Sequence, residues 1–115
     1  MSNEKNMVNT YKQQLMFVSQ QKQQLQFQIN ILDSSIKELE KTSEKRVFKG
    51  VGNIFIMTDK TDVLKQTKDS KETVELKLKN LEKQESEIIK KLNEFSKENS
   101  SKKQEGNKEN VEGVA

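Results

Sequence analysis

The sequence predicts a mostly α fold: an antiparallel two-helix coiled coil with one central β-hairpin, through which chains should assemble edge to edge into a sheet or an oligomeric β-barrel. Three observations predict it. Two apolar stripes of heptad spacing and equal length occupy the two halves of the chain. A segment rich in strand-forming residues, with a tight-turn dipeptide at its middle, lies between them. Proline is absent, so no residue forces a break in a long helix.

The first helix is expected over residues 5–43. A spacing of three and four residues links Val8, Tyr11, Leu15, Val18, Lys22, Leu25, Ile29, Leu32, Ile36 and Leu39. Only Lys22 interrupts this stripe, and a stripe sustained over so many heptads is the mark of a coiled coil. Met16, Phe17, Phe27 and Ile31 lie off the seam. Phe27 and Ile31 are one helical turn apart and share a face. They read either as scattered surface hydrophobes or as a second contact face.

The second helix is expected over residues 62–96, with Thr61 or Asp62 as its cap. Its stripe is Leu64, Thr67, Lys71, Val74, Leu78, Leu81, Glu85, Ile88, Leu92 and Phe95. Folding the chain at its middle pairs positions whose numbers add to about 103. Leu39 then faces Leu64, and Val8 faces Phe95. Lys22 and Glu85 fall within about one turn of each other, and a pair between them would fix alignment.

Between the helices, residues 46–58 read RVFKGVGNIFIMT. Val, Ile and Phe favour a strand, and Gly52-Asn53 is a two-residue turn signal. The register pairs Val51 with Ile54, Lys49 with Ile56 and Val47 with Thr58. One face carries Val47, Val51, Ile54 and Ile56; the other carries Phe48, Phe55 and Met57. A lone hairpin apolar on both faces is marginal in water and has two open edges. These seven residues are therefore expected to form an oligomerisation surface. The tail, 98–115, has little apolar content and is expected to be disordered.

Composition excludes much chemistry. The 115 residues contain no His and no Cys, which removes the commonest proton-transfer group and any thiolate metal site. No glycine-rich phosphate loop, activated nucleophile or clustered carboxylates occur, so neither an enzyme nor a metal or cofactor is expected. The net charge of +3 is spread over alternating Lys and Glu, which suits solvated helix faces better than a nucleic-acid footprint. No segment has the length of a membrane span and no signal peptide is evident, so a cytoplasmic location is expected.

Three stretches together resemble the prefoldin family, β class. They are LMFVSQQKQQLQFQI in the first helix, VFKGVGNIFIM in the hairpin and LEKQESEIIKKLNEF in the second helix. The resemblance covers about residues 8–96 and is closer to archaeal than to eukaryotic β subunits. It implies a heterohexamer of two α-class and four β-class subunits whose hairpins form a double barrel. It further implies an ATP-independent chaperone that holds unfolded proteins at coiled-coil tips and delivers them to a group II chaperonin. On this chain the tips would carry Met7, Val8, Tyr11, Leu15, Leu92 and Phe95. The other reading is a structural coiled-coil adaptor or spacer that binds one fixed partner.

The Lys22–Glu85 expectation has a direct check. Reversing either charge alone should cost about 1 kcal/mol, or roughly 4–8 °C in Tm, and reversing both should restore most of it. Thermal denaturation followed by circular dichroism measures this; unchanged single variants would dispose of the pair.

Overall fold

The computed structural model describes the backbone of residues 2–103 and the side chains of residues 3–96. Its elements in order are α1 (Ser2–Lys41), β1 (Arg46–Val51), β2 (Ile54–Asp59) and α2 (Lys60–Lys103). Contacts group them into two units. One is the continuous segment Lys22–Asn80, called the central unit; the other joins Met1–Gln21 with Leu81–Ala115 and is called the terminal unit.

In the central unit, the end of α1 and the start of α2 lie side by side and run in opposite directions. Asp33 pairs with Lys71 at 2.6 Å, and further along α1 Glu40 pairs with Lys68 at 3.7 Å. Leu25, Leu32, Ile36 and Leu39 of α1 and Leu64, Val74 and Leu78 of α2 are half-buried, as the stripes predict. Ile29 is buried, at 6% exposure. In the terminal unit, Val8, Tyr11, Leu15, Leu81, Ile88, Leu92 and Phe95 are half-buried, and Val18 is buried at 6% exposure. A residue between two helices is covered from one side only, so most seam positions stay partly open.

The weak stretch of the second stripe is made tolerable locally. Thr67 donates its hydroxyl to the Val63 carbonyl at 2.7 Å, which hides a polar group at a seam position within its own helix. Lys71 finds Asp33, a residue just beside the first stripe that the seam spacing does not include. The hydrogen bond that the Lys71 ammonium donates to the Asp33 carboxylate holds it above its ordinary pKa of 10.5; desolvation opposes the shift, and the charges of Asp33 and Glu75 add to it.

Hairpin register follows the sequence expectation throughout, from Arg46 opposite Asp59 to Val51 opposite Ile54. Gly52 at the turn has φ +59°, a left-handed conformation that glycine adopts without steric cost. The hairpin is tied to both helices. Lys60 donates its backbone N–H to the Lys45 carbonyl at 2.8 Å, extending the ladder by one pair. Its side chain donates to the Thr42 carbonyl at 2.9 Å, so a cation sits at the C-terminal end of α1, where the helix dipole favours one. Lys49 donates to the Gln66 side-chain carbonyl at 2.7 Å.

The element ends differ from the sequence expectation. Strand β2 passes into α2 with no loop residue between them, so Thr61 and Asp62 lie in the first helical turn instead of capping it. Asp62 still places a carboxylate at the positive end of the helix. Helix α1 starts at Ser2 and stops at Lys41, and α2 continues to Lys103, past the expected end at 96. Residues 97–103 contain neither Gly nor Pro, and extending an existing helix costs far less than starting one. The rest of the expected tail, 104–115, lies outside the described residues. No helix among the described residues is long and apolar enough to cross a membrane.

The raised pKa of Lys71 fixes the sign of a pH effect. Its stabilisation is fully present below 10.5 and is lost as pH rises through the folded-state value. Lys71→Gln should lower Tm at pH 8 and remove this component of the alkaline loss. Identical pH–Tm curves for the two chains above pH 10 would contradict the assignment.

Candidate functional site

Two surfaces are candidates, one in each unit. The first is the hairpin. Antiparallel alternation sends Val47, Lys49, Val51, Ile54, Ile56 and Thr58 to one face, and Arg46, Phe48, Gly50, Phe55, Met57 and Asp59 to the other. Val47, Lys49 and Thr58 are half-buried. The aromatic face is open: Phe48 is 68% exposed and Phe55 76%, with Met57 exposed as well. The Phe55 ring lies against the backbone of Gly50, directly across the ladder; a Cβ at Gly50 would stand 3.5 Å from it. An aromatic ring over a cross-strand glycine covers backbone that would otherwise be bare. Val51, Ile54 and Ile56 are exposed on the opposite face. All seven hairpin residues named from sequence are thus brought onto one two-stranded ribbon, six of them exposed and Val47 half-buried.

The second surface is in the terminal unit. The Tyr11 and Phe95 rings meet at 5.9 Å between centroids and are tilted by 37°. The Lys91 ammonium stands 5.6 Å from the Tyr11 ring centre, within cation–π range. Beside them is a shallow open cleft lined by Tyr11, Gln14, Gln84, Glu87, Ile88 and Lys91. The stripes set Phe95 opposite Val8; its aromatic partner is instead Tyr11, the next seam position along α1.

Of the six tip residues named from sequence, five are half-buried members of the seam. Only Met7 is exposed, at 45%. More open apolar side chains in this unit are Met16 and Phe17, with Ile89 also exposed. Met16 and Phe17 show in the sequence as residues off the stripe. Ile89 follows the seam residue Ile88 directly and is masked in the sequence by the apolar pair. Among the described residues no group of three or more potential metal ligands comes together.

Two long helices joined by a single β-hairpin with exposed apolar side chains define a class of helical, hairpin-bearing proteins. Comparison narrows the class. The prefoldin subunit family model matches residues 2–106. The chain is 42% identical over 87 residues to prefoldin subunit beta of Thermococcus onnurineus, covering 75% of each chain. It is 36% identical over 90 residues to that of Pyrococcus furiosus, covering 77% of each. The crystal structure of the prefoldin beta subunit from Thermococcus strain KS-1 matches with a TM-score of 0.85 at 29% identity, over 91% of this chain and 93% of the other. The chain belongs to the prefoldin family of chaperone subunits.

The burial pattern separates support from contact. Phe95→Ala removes ring packing at a half-covered position and should destabilise the helix pair by about 1–2 kcal/mol, less than for a fully buried aromatic. Met7→Ser should stay within about 0.5 kcal/mol of the parent. Thermal melts with hydrogen exchange on residues 81–96 read both.

Proposed function

We propose that this chain is a subunit of an ATP-independent holdase. The hairpin joins it to an α-class partner and to further β-class copies, in a heterohexamer of two α and four β subunits. The terminal unit holds unfolded polypeptides and releases them to a group II chaperonin. Residence in the cytoplasm fits this role.

Membership of the prefoldin family carries the reading. The geometry of the terminal unit is compatible with it in a specific way. Met7, Met16, Phe17 and Ile89 are already open to an apolar client. Val8, Tyr11, Leu15, Leu92 and Phe95 are covered from one side only, so fraying of the helix pair would expose them without loss of the rest of the fold. Methionine and aromatic side chains suit clients of varied sequence, because they adapt to irregular apolar surfaces.

Light scattering tests the proposal. The chain assembled with its α-class partner should suppress aggregation of several unrelated denatured proteins without nucleotide. Removing residues 1–14 and 90–115, which leaves Leu15, Met16, Phe17 and Ile89 in place, should raise scattering most of the way to that of the client alone and leave the assembled mass intact apart from the deleted residues. Protection of a single native partner and no other would favour a fixed-partner adaptor and reject the holdase.

A further inference from the structure

We propose that Lys60 is a positioning residue. It locks the joint between the hairpin and the helix pair of the central unit, and so fixes the direction in which those helices leave the hairpin. The inference concerns a single chain and stands or falls independently of the holdase reading.

The two junctions of the hairpin are unequal. Strand β2 ends at Asp59 and α2 begins at Lys60, so the hairpin can turn on α2 only through the backbone angles of these two residues. Between α1 and β1 lie four residues, 42–45, which is enough chain for the hairpin to swing about that pivot. A two-stranded ribbon has little surface of its own with which to choose one orientation. Ordering it against the helices costs backbone entropy, which specific contacts have to offset.

Lys60 holds both ends of the four-residue connection. Its backbone N–H donates to the Lys45 carbonyl at 2.8 Å, which secures the end next to β1. Its ammonium donates to the Thr42 carbonyl at 2.9 Å, which secures the end next to α1. Thr42 closes the last turn of α1 with its own N–H, which donates to the Glu38 carbonyl at 3.1 Å. Its C=O is among those that a helix end leaves without an intrahelical partner, and a cation is favoured there. The middle of the connection is closed from within, by the Glu44 N–H on the Thr42 hydroxyl at 3.3 Å. One residue at the pivot thus ties the end of α1, the start of β1 and the start of α2 together. The ammonium contact is partly buried, and a hydrogen bond from a charged donor is stronger than one between neutral groups. The other tie between hairpin and helix, Lys49 on Gln66 at 2.7 Å, is exposed and supports the same orientation more weakly.

The chain has no cysteine, so introduced cysteines are its only labelling sites. Val51→Cys in the hairpin and Ser70→Cys on α2, both at exposed positions, carry spin labels in the full-length chain. Dilution with unlabelled chain confines the measured distances to one molecule, and pulsed electron paramagnetic resonance reads their distribution. The parent should show one narrow distribution. Lys60→Met keeps the backbone N–H and loses the ammonium. It should broaden the distribution and speed exchange of the residue-60 amide roughly tenfold, the strength of a hydrogen bond from a charged donor. Amides of residues 68–78 should exchange as in the parent. Lys60→Arg keeps a cation and should restore most of both. Lys60→Gln decides the matter if circular dichroism shows that Lys60→Met has lost helix content. A broad distribution in the parent overturns the proposal. So does an unchanged distribution in the folded variant, whatever happens to its Tm, because Lys60 would then cap α1 without aiming the hairpin.

Discussion

Each seam residue of a helix pair has one neighbouring helix to lie against. That constraint governs most of what the structure shows. Among the described side chains only Val18 and Ile29 fall to 6% exposure, and the remaining seam positions stay half open. A core this thin cannot rely on volume filling to specify alignment. Specific polar contacts help to set it, namely Asp33 with Lys71, Glu40 with Lys68, and the Lys60 amine on the Thr42 carbonyl. The surface pairs among them contribute little stability singly, but a slip of one turn would break them together.

Much of this is legible in the sequence. Every residue assigned to the two stripes is half-buried or buried, Lys22, Lys71 and Glu85 included. The hairpin register agrees at every pair, because a two-residue turn fixes it and alternation leaves no freedom. Heptad spacing and strand alternation are properties of the backbone, and sequence carries them directly.

Other features are hidden for physical reasons. Asp33 lies one position beyond Leu32, and its pairing with Lys71 depends on how two flexible side chains reach across a particular register. Tyr11 meets Phe95 because large rings choose neighbours by shape, which spacing does not encode. Thr61 and Asp62 have the chemistry of caps, yet the ladder pair Lys45–Lys60 draws the start of α2 back to the end of β2. The apolar stripe stops at Phe95, while backbone hydrogen bonding needs no stripe to continue, so α2 runs past the point where its periodicity ends. For the candidate site, six of the seven hairpin residues that the sequence names are exposed on the ribbon. In the terminal unit it names mostly seam residues, because periodicity reports what is covered and leaves open side chains such as Ile89 without a signal.

The same one-sided covering links stability to function. A residue that is half-buried against one helix needs only that helix to move in order to become a contact for another chain. Under the proposed holdase reading, residues used for support and residues available for capture can thus be the same, provided that the local opening free energy is low. The hairpin lies at the other extreme. Its aromatic face is open in the isolated subunit, and Phe48, Phe55 and Met57 present more apolar surface than a two-stranded ribbon can hide. Strands added at the edges would satisfy backbone groups, and covering the face would take closure of the sheet or a second layer. Fully open apolar surface is therefore dense in the hairpin, and partly covered apolar surface lies along the thin seam.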